Sequence, residues 1–122
     1  MNNNFSFEKS VLRQEAYWVH ELSAKFKEKQ VKLVLVANPE TQEIDGTILF
    51  KDCANLEQKH FGNDNILPSL LGIQNVENNS STNYIITTEL SEVSFTTNSE
   101  PEVIWVDPSK QKQKWKSEQL KI

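Results

Sequence analysis

Trp18-Val19-His20-Glu21-Leu22-Ser23-Ala24-Lys25-Phe26-Lys27-Glu28-Lys29-Gln30-Val31-Lys32-Leu33-Val34-Leu35-Val36-Ala37 is the stretch that decides the fold. Its second half, Val31–Ala37, is rich in β-branched residues and stops at Asn38-Pro39, the signature of a strand running into a turn. Its first half supports two periods. Trp18, Leu22 and Phe26 fall on one helical face. Trp18, His20, Leu22, Ala24 and Phe26 also alternate with Val19, Glu21, Ser23, Lys25 and Lys27, as in a half-buried strand. The strand is preferred because only Lys29-Gln30 separates the two runs, a gap of hairpin length. The rival is one long helix over residues 6–29 lying on an antiparallel sheet. The choice separates a mainly β chain from an α+β one.

Working outward, Ser6 can cap a short helix over Phe7–Glu15, with Phe7, Val11 and Leu12 on one face. Downstream, Glu40–Glu43 is a turn. Ile44–Lys51 is a strand in which Gly46 marks a bulge or a close approach. Asn55–Phe61 alternates, and Gly62–Asn65 turns. Ile66–Val76 is a strand whose Pro68 implies an irregular start or an edge. Glu77–Thr82 is a polar loop. Tyr84–Glu89 and Val93–Thr97 are strands joined by Leu90-Ser91-Glu92. Val103–Val106 closes the sheet before Pro108. Seven or eight short strands at such spacing predict an antiparallel sandwich or a partly open barrel with a short N-terminal helix. Trp18 and Trp105 are core candidates that would tie the first and last strands together. One domain over residues 1–108 is expected, followed by a basic tail, 109–122, that is disordered or loosely helical.

The 122 residues can bury one ordinary core, and the six Phe, three Trp and two Tyr offset a lean apolar fraction of 37%. No run approaches the ~20 apolar residues of a membrane helix. Met1-Asn2-Asn3-Asn4 does not open a secretion signal. Cys53 is the only cysteine, which rules out an intramolecular disulfide. A soluble cytoplasmic protein is the expectation.

Residue types for catalysis are sparse. The chain has two histidines. His20 is expected on the inward face of its strand as a satisfied core residue. His60, near a turn, is expected at the surface. Cys53 is expected to act as a small buried hydrophobe. His20, Cys53 and His60 match no metal-ligand spacing, and three glycines cannot build a phosphate cradle. No enzyme activity, metal or cofactor is expected.

Charge is the stronger signal. From His60 to Ser109 there is no Lys or Arg, but seven acids: Asp64, Glu77, Glu89, Glu92, Glu100, Glu102 and Asp107. Residues 1–107 hold 8 basic and 16 acidic groups; residues 108–122 hold 5 and 1, giving −4 in all. An acidic body with a short basic end suits a basic partner. The tail mixes lysines with Trp115, as nucleic-acid binders do. The acidic body would be repelled by phosphate, so direct nucleic-acid binding is not expected.

Ile48–Glu57 (ILFKDCANLE) and Phe61–Leu67 (FGNDNIL) pass from a strand through a "phenylalanine, polar, small" step to a second strand. A glycine–asparagine turn and an isoleucine-led strand follow. Tyr84-Ile85-Ile86-Thr87, Val93-Ser94-Phe95 and Val103-Ile104-Trp105 come after in order. Over residues 45–106 this pattern resembles immunity proteins of bacterial polymorphic and contact-dependent growth inhibition toxin systems. The resemblance implies a non-catalytic protein that binds and blocks a cognate toxin domain, a basic one such as a nuclease. Its acids would speed encounter and mimic phosphates. Glu89, Glu92, Glu100, Glu102 and Asp107 would form the contact set, with Asp64 at the turn. The other expectation is an adaptor, phage or secretion related, that binds through an exposed strand edge.

Overall fold

The computed structural model describes residues 11–62 and 67–106. Eight strands follow in order: β1 (Trp18–Lys25), β2 (Gln30–Val36), β3 (Ile44–Phe50), β4 (Ala54–His60), β5 (Leu70–Asn78), β6 (Ser81–Thr88), β7 (Ser91–Thr97) and β8 (Glu102–Trp105). They form two four-stranded antiparallel sheets, ordered β1-β2-β3-β8 and β4-β7-β6-β5. Each sheet is a three-strand meander plus one strand from elsewhere in the chain: β8 joins β1-β2-β3, and β4 joins β7-β6-β5. The expected sandwich is present, and it is not closed into a barrel.

The long helix over residues 6–29 is corrected, because Trp18–Lys25 is a strand paired along its length with β2. Of the helix expected over Phe7–Glu15, residues 7–10 lie outside the described residues. Leu12–Glu15 bend rather than wind. Their side chains are engaged with the sheet. Arg13 pairs with Asp45 at 3.5 Å and lies 4.7 Å over the Trp105 ring. The Gln14 amide donates to the Ala16 and Ala37 carbonyls. The tail 109–122 lies outside the described residues.

A bulge in β1 changes the reading of its faces. Val19 pairs with Leu35 and Glu21 with Val34, so His20 is the extra residue. One inserted residue inverts the alternation. Val19 is therefore buried, Leu22 and Ala24 pack on the core, and His20 is exposed. The expected core histidine is a surface residue for this reason.

Other boundaries shift too. Pro68 precedes the strand: β5 begins at Leu70, and the carbonyl of Pro68 accepts from Val19 N–H at 2.8 Å. The polar loop expected over Glu77–Thr82 is a tight hairpin with Asn79-Ser80 at its tip. Asn79, at φ 60°, takes the left-handed conformation that asparagine tolerates.

The core lies between the sheets. Val31, Leu33, Leu35, Ile48 and Phe50 face Ile73, Tyr84, Ile86, Val93 and Phe95. Phe50 sits at its centre, with ring centroids 4.9 Å from Tyr84 and 5.0 Å from Phe95. Trp18 is only half-buried. It is Tyr17 that joins the first strand to the last, stacked 6.0 Å from Trp105 and donating to Asp45 at 3.1 Å.

Gly46 combines both sequence expectations. Asp45 beside it is a bulge, and a Cβ on Gly46 would fall within the Trp105 indole. Gly46→Ala is expected to cost about 1–3 kcal/mol, as overpacking does. A urea melt superimposable on the parent's would contradict that contact.

Candidate functional site

The β7–β8 connection is anchored before it reaches the acids. Thr97 Oγ1 donates to the Lys51 carbonyl at 2.6 Å and accepts from Ser99 N–H at 3.1 Å. Ser99 Oγ donates to Asp52 Oδ2 at 2.5 Å. These bonds hold Asn98–Pro101 against the β3–β4 turn and fix where Glu100 stands. Across from it, the β5 register places Glu77 opposite Thr82, next to the Tyr84–Asn75 pair. Glu77, Ser80, Thr82, Tyr84, Asn98, Ser99, Glu100 and Pro101 line a cleft of about 400 Å³.

Tyr84 forms the buried wall of this cleft, its ring stacked 5.4 Å from Phe95. Burial raises its phenol above the usual tyrosine range, and the charges of Glu77 and Glu100 push it further the same way. Both carboxylates therefore act on one aromatic group. Neither is in an ion pair among the described residues.

The remaining expected contacts lie elsewhere. Glu102 is bound to Lys51 at 2.7 Å. Glu89 accepts from Ser69 N–H at 2.8 Å. Its turn is held by Thr88 Oγ1, which accepts from the N–H groups of Leu90 and Ser91 at 3.1 and 3.0 Å. Glu92 is half-buried opposite Lys59 on β4. Glu92 and Thr97 are at the two ends of β7, about 17 Å apart at strand rise. Glu89 and Glu92 thus sit at one end of the sandwich and Glu100 at the other. Asp64 and Asp107 lie outside the described residues. Glu77 is not in the expected contact set; its signal in the sequence is strand parity with Asn75, which a loop over Glu77–Thr82 conceals and β5 restores.

A second cleft, about 480 Å³, is lined by Val19, His20, Glu21, Leu22, Gln58, His60, Leu90 and Ser91, among others. It brings both histidines and one carboxylate to a common opening. An oriented base needs a third group to hold its ring. Among the described residues no hydrogen bond holds the His20 ring, and Glu21 is engaged with Ser23 and Lys32. Among the described residues no three His, Cys, Asp or Glu side chains are grouped for a metal.

Cys53 is buried, with its N–H donating to the Lys29 carbonyl at 2.9 Å. Desolvation pushes its thiol from 9.0 up to about 11. The unfolded chain then loses this proton first as pH rises. The stabilisation is complete below pH 9 and disappears through about 11. Tyr17 and Tyr84 are raised in the same sense, each mainly by burial. Urea melts at increasing pH are expected to show falling stability across this window, with Cys53→Ala removing part of the slope. A flat profile would contradict it.

Among the described residues no helix is long and apolar enough to cross a membrane. No protein-family model matches the chain, and no curated protein does. Among solved structures it is similar to an uncharacterized protein from Neisseria gonorrhoeae, with a TM-score of 0.56 and 9% identity. The match covers 74% of this chain and 91% of that one. At this identity the likeness establishes a common fold and nothing about activity.

Proposed function

We propose that this protein is a toxin-neutralising immunity protein, which binds a cognate basic toxin domain through acidic groups and blocks it without catalysing a reaction. The observation that carries the reading is the cleft at Tyr84. There Glu77 and Glu100, neither in an ion pair among the described residues, flank a buried aromatic ring. Carboxylates without such a partner are open to a partner protein's Arg or Lys. Those already matched, such as Glu102 with Lys51, would have to break a bond first. The acidic excess of residues 1–107 adds long-range attraction that speeds encounter with a cationic domain.

The reading places Glu77 and Glu100 at the centre of the contact, with Glu92 and Glu89 contributing to the wider field. The direct test is co-expression with the product of the adjacent gene, followed by pull-down and growth rescue. A specific complex that weakens steeply with added salt is the expected result. Absence of both capture and rescue would overturn the proposal.

A further inference from the structure

Among the described residues β4 ends its sheet and pairs only with β7. Of its seven residues only Leu56 is half-buried; the other six are exposed. Two edge strands of the molecule are blunted. β1 is bulged at His20 and bridged to Ser69, and β8 is four residues long. β5 carries one charge, Glu77, so two copies of it would have no complementary charges to match. β4 is irregular only at its start, between Ala54 and Glu57, where Asn55 has φ 54°; its regular run, Glu57–His60, carries charges of both signs.

Its backbone polarity follows from the ladder. Glu57, Lys59 and Phe61 are in register with Ser94, Glu92 and Leu90, and Phe61 N–H donates to the Leu90 carbonyl at 2.8 Å. Backbone groups alternate between the two edges of a strand. The odd-numbered residues therefore bond toward β7. Gln58, between Glu57 and Lys59 in the regular run, directs its N–H and C=O to the outer edge. Ser94 and Glu92, the partners of Glu57 and Lys59, alternate with the buried Ser91, Val93 and Phe95, so Glu57 and Lys59 stand with them on the outer face of the sheet.

We infer that β4 is a self-association edge, where two copies pair antiparallel about Gln58 and form one continuous eight-stranded sheet. In this register Gln58 lies opposite Gln58 of the other copy and exchanges two backbone hydrogen bonds with it. Glu57 then lies opposite Lys59 on both sides of the two-fold axis. Both are non-hydrogen-bonded pairs, where Cβ atoms come closest, at roughly 4.5–5 Å. The adjacent registers fail on charge. A pairing centred on Glu57 sets carboxylate against carboxylate, and one centred on Lys59 sets ammonium against ammonium. The Glu-Gln-Lys triplet is thus self-complementary in a single arrangement. Such an interface is isologous and closes as a dimer. A strand of another protein could use the same backbone edge, but only a second copy satisfies both charges by symmetry.

Sedimentation equilibrium on the full chain is expected to show a reversible monomer–dimer system that weakens with salt. Glu57→Lys alone, or Lys59→Glu alone, should raise the dissociation constant at least about tenfold, since two attractive pairs become repulsive. The combined swap, Glu57→Lys with Lys59→Glu, should restore it to within about threefold of the parent. Gln58→Pro should abolish pairing while leaving the circular dichroism of the sheet intact, because the N–H it removes points away from β7. Should that variant misfold, the exposed charge variants still decide the matter. A chain that stays monomeric to about 1 mM, a dimer unaffected by either reversal, or a swap that fails to restore pairing would each overturn the inference.

Discussion

Phe50→Ala is expected to lower the unfolding free energy by about 3–5 kcal/mol. Phe50 is fully buried and forms aromatic contacts with Tyr84 and Phe95 across the sandwich. Truncation removes its transfer free energy and leaves a cavity that rigid strands on both sides cannot collapse to fill. Domains of this size are stable by only about 5–15 kcal/mol, so the variant should be marginal at room temperature. Gln74→Ala, on the exposed edge strand β5, should change stability by less than about 0.5 kcal/mol. Urea denaturation of both variants is the check. Equal midpoints would mean that the two sheets do not pack around Phe50.

Charge reversal in the Tyr84 cleft should abolish growth rescue. Glu77→Lys and Glu100→Lys each put an ammonium where the proposed partner's own cation would enter. Losing one member of a buried charge pair at an interface costs about 2–5 kcal/mol, roughly 30-fold to several thousand-fold in affinity. Glu102→Lys is the informative contrast, because that carboxylate is already bound to Lys51. Its reversal should weaken binding less than about tenfold, as a change in the peripheral field does. Similar losses at all three positions would point to general acidity rather than the cleft as the determinant. Neither cleft carboxylate belongs to the core, so thermal melts of these variants should stay close to the parent.

Much of the sandwich was legible in the residues. Val31–Ala37, Tyr84–Glu89 and Val93–Thr97 announce strands through β-branching and alternation, and the short gap before Val31 favours a hairpin, although the turn is Phe26–Lys29 and Gln30 already pairs with Lys25 in β2. The errors share a physical cause. At His20 one inserted residue inverts the faces, and composition carries no mark of it. At Asn79-Ser80 a polar tip looked like a whole loop, because Asn78, Asn79, Ser80 and Ser81 are all turn formers. This run of turn formers conceals the strand position of Glu77. The fates of Glu89 and Glu102 were equally hidden. Their partners, Ser69 and Lys51, are 20 and 51 positions away, and such pairing is set by sheet order rather than by local sequence.

The exchange of single strands between the two meanders has a consequence for how the chain assembles. β1-β2-β3 and β5-β6-β7 close through short connections and little loop entropy. β4 must wait for β7, and β8 must travel back to β3 across four intervening strands. Long-separation pairings are the slow ones. Folding should therefore be limited by the docking of the last strand, from Glu102 to Trp105, and a nascent chain would complete its first sheet only after its second was already built.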